Sequence, residues 1–322
     1  MYKRILVPLD GSVRAERAIP VAARIARASG GSVFLLRVAT TPVDTGKFSS
    51  ASGYVEETVD ADLTGATSYL EHTAVSHELT GIKTEVKSLF GAVAPTILSA
   101  SQSLHANIIV ICSHGYTGFK RWALGSIADK VTRHSPIPVF VLREGGPLPA
   151  TAEHQPVQAL VAVDGSSLSE AVLEPAAYLA KALAEAISQR VALHLLRVVD
   201  LPTGGGKFKS DAYIDTGLKE QVKHEDEEYL HTLVHRLNTG DLAHLDLAIT
   251  SSVEADPDVA EAIVKKAEQD TFDFIAIATH GRGGVQRWAL GSVAARVLHA
   301  TKLPLLIMRP QEIQAVAGSE HK

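Results

Sequence analysis

A chain of 322 residues carrying 31 Lys and Arg against 36 Asp and Glu has a formal charge of −5 and offers no basic surface of the kind nucleic acid requires. Its 46% hydrophobic content suits a globular protein with a proper core, no run approaches a membrane span, and the opening Ile5-Leu6-Val7-Pro8-Leu9 is too short for a signal peptide. The expected location is therefore cytoplasmic, with neither a membrane nor a nucleic acid as partner. The single cysteine, Cys112, excludes an internal disulfide framework and, set behind Ile108-Ile109-Val110-Ile111, reads as a buried structural thiol.

In chain order, short apolar runs at 4–9, 33–38, 107–112 and 137–142 alternate with alanine-rich stretches, and the series returns at 159–163, 191–199, 273–279 and 303–308. Stretches 82–86 and 245–249 alternate by twos and supply one more strand each, five per unit. Ala15, Ala18, Ile19, Ala22, Ala23 and Ile25 share one face of a helix that Ser12 caps. Ser166 caps the second copy, with Ala171, Val172, Ala176, Leu179, Ala180 and Leu183 behind it. Strands alternating with helices predict two tandem, doubly wound α/β domains, each a parallel sheet covered on both faces.

The duplication is written in the residues. Ser113-His114-Gly115, nine residues, then Gly125-Ser126 recurs as Thr279-His280-Gly281, nine residues, then Gly291-Ser292. Asp10-Gly11-Ser12 returns as Asp164-Gly165-Ser166, and Leu36-Arg37-Val38 as Leu196-Arg197-Val198. Order is kept while offsets grow slowly, as small loop insertions require. The expected domains are 1–144 and 157–310, joined by a Gly- and Pro-rich linker at 145–156 and followed by a fraying tail at 311–322.

Ligands of such sheets bind outside the carboxyl ends of the strands, where strand order reverses. There the chain places Asp10 and Asp164 after the first strand of each unit, and Gly125-Ser126 and Gly291-Ser292 where a helix begins. A Gly-Ser at a helix N-terminus exposes main-chain N–H groups, a hydroxyl and the positive end of the helix dipole, all suited to phosphate. A carboxylate suits a ribose hydroxyl or an amino group. His114 and His280 can hydrogen-bond a ligand or pack the loop, and no Cys/His spacing around them suggests a metal. Trp122 and Trp288 read as apolar anchors, and Arg121 and Arg287 as phosphate partners or as solvated surface.

These residues resemble the universal stress protein family in its tandem two-domain form, over essentially the whole chain. The resemblance implies a fold like that of the adenine nucleotide alpha hydrolases and other Rossmann-like proteins. It also implies that the pattern Gly-x2-Gly-x9-Gly-Ser/Thr, with an Asp ending strand one and a Val ending strand two, holds ATP or AMP, with or without Mg2+. The site residues so implied are Asp10, Val38, Cys112, His114, Gly115, Gly125 and Ser126 in the first unit. Their counterparts are Asp164, Val198, Ala278, His280, Gly281, Gly291 and Ser292. Cys112 and Ala278 replace the pattern's first glycine, which keeps an amide but narrows the space. Alanine is the smaller of the two and favours the second site. Single-unit relatives look like dimers through their last strands, implying an intrachain pseudo-dimer through 137–142 and 303–308, with a further homodimer left open.

Two apparent motifs fail. Gly204-Gly205-Gly206-Lys207 lacks the first P-loop glycine, where Leu201 stands, and has Phe208 in place of Ser or Thr; Gly281-Arg282-Gly283-Gly284 has Gln286 where a dinucleotide fingerprint needs glycine. Gly46-Lys47-Phe48 and Gly206-Lys207-Phe208 recur after strand two, so that Lys47 and Lys207 either approach the nucleotide or sit on solvated loops. Phosphoryl transfer needs a positioned base and a metal clamp that the loops do not spell out. The expected function is that of a sensor or regulator in a stress response, not an enzyme of rapid turnover, although the resemblance includes members that hydrolyse ATP slowly. The alternative is a nucleotide-free scaffold of the same fold.

Overall fold

The computed structural model describes residues 1–40, 52–113, 124–149, 156–185, 187, 189–200, 216–279 and 290–309. The first module runs β1 (Arg4–Pro8), α1 (Val13–Glu16), α2 (Ala18–Ser29), β2 (Ser32–Ala39), α3 (Ser52–Ala74), β3 (Lys83–Phe90), α4 (Val93–Ser103), β4 (Ile108–Cys112), α5 (Ser126–His134) and β5 (Val139–Leu142). The second runs β6 (Val157–Ala162), α6 (Ser167–Glu170), α7 (Leu173–Glu185), β7 (Val191–Val199), α8 (Thr216–Arg236), β8 (Ala248–Ala255), α9 (Val259–Gln269), β9 (Phe274–Ala278), α10 (Ser292–Ala300) and β10 (Leu305–Met308).

Each module is a five-stranded parallel sheet with helices on both faces, as the alternation predicts. The two sheets join into one of ten strands, in the order β3-β2-β1-β4-β5-β10-β9-β6-β7-β8. The junction is antiparallel, with Leu305, Leu306 and Ile307 opposite Val141, Phe140 and Val139. The last strands of the two modules thus pair within the chain. Because the direction reverses at that seam, the carboxyl ends of the two sets of strands lie on opposite edges of the sheet.

The helix expected from Ser12 is in fact two, broken at Arg17, and its copy breaks at the corresponding place between α6 and α7. Proline explains both breaks. Pro20 and Pro175 lack the N–H that would reach back four residues, and their rings crowd the carbonyls of Glu16 and Ala171. The strand expected at 245–249 begins later. Leu245 ends a short 3-10 turn and Asp246 takes a left-handed conformation (φ 51), so β8 starts at Ala248. α3 and α8, which cover β2, β3, β7 and β8, fill segments that the sequence reading leaves as long connections.

On the face covered by α2 and α7 a single core spans both modules, from Ile5, Val7 and Leu35 to Leu193, Phe274 and Leu306. Phe140 and Phe274 meet edge to face across the seam, with centroids 5.6 Å apart. Tyr2 donates a buried 2.8 Å hydrogen bond from the first module to the carbonyl of Pro175 in the second. The opposite face carries two cores, one per module, and Leu124 packs against both. The segment expected as a free linker begins as a strap, because Arg17 donates to the carbonyls of Arg143 (3.1 Å) and Gly146 (2.7 Å) and Arg24 to those of Pro149 (2.8 Å) and Leu183.

Candidate nucleotide site

Strand order reverses between β1 and β4 in the first module and between β6 and β9 in the second. The sequence-derived residues that lie among the described ones sit at the ends of these strands and at the starts of α5 and α10. Asp10 follows β1, and its Oδ1 accepts from the amide (3.0 Å) and hydroxyl (2.6 Å) of Ser12. Asp164 does the same with Ser166, at 2.9 and 2.6 Å. This tight turn requires a left-handed residue at its centre, and Gly11 (φ 86) and Gly165 (φ 82) supply it. Ser12 then caps α1 through the amide of Ala15, and Ser166 caps α6 through that of Ser169.

Val38 and Val198 lie where β2 outruns β1 and β7 outruns β6, while still paired with β3 and β8. Leu9 donates to Leu36, and Val163 to Leu196, as the last rungs on that side. Main-chain groups alternate sides along a strand, so those of Val38 and Val198 point the same way as those of Leu36 and Leu196, past the ends of β1 and β6. An amide and a carbonyl two atoms apart, facing a crevice, can read the edge of a heterocyclic base.

Each nine-residue loop is pinched at its base. The amide of Gly125 donates to Ser113 and that of Gly291 to Thr279, both at 2.7 Å. Gly291 has an ordinary φ of −56, so glycine is needed for space. A Cβ there would stand 2.7 Å from the carbonyl oxygen of Thr279. Beyond the pinch, α5 and α10 start at Ser126 and Ser292, both exposed, with no side-chain cap, as also at α2 and α4, whereas α1, α6 and α9 are capped by a side chain. The first turns of α5 and α10 therefore have no side-chain cap among the described residues, and a free helix start can receive an anion.

Cys112 and Ala278 are 8% and 6% exposed. The Cys112 thiol turns toward the carbonyl of Ala15 at 3.8 Å, into the core beneath α1. Burial pushes its pKa up to about 12, against a small opposing pull from Arg17. It is a buried thiol, as expected, and its bulk points into the core. His114, Gly115, His280 and Gly281, together with Lys47, Lys207, Arg121, Arg287, Trp122 and Trp288, lie outside the described residues.

A second duplicated set went unread in the sequence. The Tyr69 hydroxyl donates to Glu16 and the Tyr229 hydroxyl to Glu170, each at 2.8 Å, and burial together with those carboxylates pushes both phenol pKa values up. Arg37 lies over the Tyr69 ring at 4.9 Å. Arg197 instead forms a 3.0 Å ion pair with Asp226. The signal was available, since one interval of 160 residues separates Arg37 from Arg197 and Tyr69 from Tyr229.

Paired doubly wound modules, each with a strand-end carboxylate, an overhanging strand and an uncapped helix start, define a tandem α/β protein with the same candidate site in each half. The model of the universal stress protein family matches twice, at residues 1–143 and 158–309. The chain belongs to that family. A universal stress protein of Mycolicibacterium smegmatis is 28% identical over 324 residues, covering 95% of this chain and 97% of its own. Universal stress protein Rv2005c of Mycobacterium tuberculosis is 29% identical over 237 residues, 70% of each chain. Among solved structures, a universal stress protein from Archaeoglobus fulgidus shares the fold at a TM-score of 0.59 and 20% identity, covering 96% of this chain and 99% of its own. Among the described residues no helix is long and apolar enough to cross a membrane.

Proposed function

We propose that each module binds an adenine nucleotide, ATP or AMP, and that the protein serves in the cytoplasm as a sensor or regulator of a stress response, its output being conformation or partner choice. One observation carries the reading: the same pinched loop base and uncapped helix start stand beside the same carboxylate in both modules. In this reading the main chain of Val38 and Val198 takes the base, Asp10 and Asp164 the ribose, and the first turns of α5 and α10 the phosphates. A helix start contributes about 0.3–1 kcal/mol toward an anion, so affinity rests on the summed contacts.

Turnover needs a group to move a proton or to attack phosphorus. The carboxylates nearest the site, Asp10 and Asp164, hold the turns that carry Ser12 and Ser166, a positioning duty. A nucleotide-free scaffold is the second reading, favoured by Cys112 and Ala278 in place of glycine. The inward turn of the thiol weakens that objection in the first module.

The test is to denature freshly purified protein and identify released nucleotide by chromatography and mass. About two nucleotides per chain supports the proposal. None released, with no heat on titrating Mg-ATP, establishes the scaffold.

A further inference from the structure

The two sites are built alike but charged differently. In the first module the Arg37 guanidinium lies flat against Gly11, with Nη1, Cζ and Nη2 all 3.2–3.3 Å from the place a Cβ would occupy. It is thus set between Asp10 and Ser12, at the end of β1 and one residue before Val38. Its other side stacks on Tyr69. Among the described residues it forms no ion pair with a carboxylate; Glu16 accepts from the Tyr69 hydroxyl and Asp10 Oδ1 from Ser12. In the second module the equivalent Arg197 is 7% exposed, and its Nε is bound to Asp226 at 3.0 Å. The residue 160 positions before Asp226 is Ala66, buried on α3. Among the described residues, this substitution separates a cation paired within the fold from one that is not.

We infer that Arg37 is a specificity-determining residue that makes the first module select a phosphorylated ligand, while Asp226 closes the same subsite in the second. This rests on the nucleotide reading above and orders the two sites oppositely to the sizes of Cys112 and Ala278. A guanidinium gives a phosphoryl oxygen charge-assisted, paired hydrogen bonds. Arg197 cannot, because its charge is already met in a buried ion pair.

Isothermal titration of the full chain with ATP and with adenosine tests it, melting curves confirming that each variant is folded. The unaltered protein should show two unequal ATP sites and weak, near-equal adenosine sites. Arg37→Gln should cost the stronger ATP site about tenfold and leave adenosine unchanged. Ala66→Asp should do the same by supplying an internal carboxylate, and Asp226→Ala should strengthen the weaker ATP site severalfold. An ATP-to-adenosine ratio unmoved by both Arg37→Gln and Ala66→Asp overturns the inference while leaving nucleotide binding intact. Binding of neither ligand by the unaltered protein overturns both.

Discussion

Gly291 meets the Thr279 carbonyl so closely that a single added carbon has nowhere to go. Gly291→Ala should lower stability by about 1–3 kcal/mol through overpacking, read as a fall in thermal midpoint, and should weaken nucleotide binding in the second module more than in the first. Cys112 behaves in the opposite way, as a side chain defined by being enclosed. Its thiol is neutral in the fold up to about pH 12 against an ordinary value of 9.0. The stability it contributes is therefore complete below pH 9 and is lost as pH rises from 9 toward 12. Alkylation of native protein at pH 8 should proceed no faster than unfolding, and rapid labelling would contradict the burial.

At the scale of elements, the strand-one and loop residues were legible because their spacing repeats. The Arg37 and Arg197 neighbourhoods were not, since Tyr69, Glu16 and Asp226 reach them from helices whose packing no local pattern encodes. The start of β8 was misplaced for a related reason: alternation in 245–249 resembles a strand until Asp246 turns left-handed. β8 also carries a pH dependence. His194 on β7 is held by Thr250 (2.9 Å) and Ser252 (2.8 Å) of β8 and packs on Phe272. Burial, with help from Lys266 and against Asp270 and Glu254, lowers its pKa below 6.5. The neutral ring is thus favoured by folding, and the contribution present above pH 6.5 declines as pH falls below it. The denaturation midpoint should drop between pH 7.5 and 5.5, and His194→Gln should shrink that difference.

At the scale of the whole molecule, the β5–β10 pairing and the core running beneath it join the two domains. Calorimetry should show a single cooperative transition, and two resolved transitions would mean that the seam contributes little. The same seam sets the two candidate sites on opposite edges of the sheet.

Local pattern alone determined that there are two modules, that each alternates strands with helices, and which residues close strand one and begin the helix after strand four, because period, capping and spacing are short-range properties written directly in the chain. Tertiary structure decided which way the Cys112 thiol turns, that Asp226 pairs with Arg197, and that Tyr69 stacks on Arg37. Those outcomes depend on side chains brought together across tens of residues, where contact follows from packing.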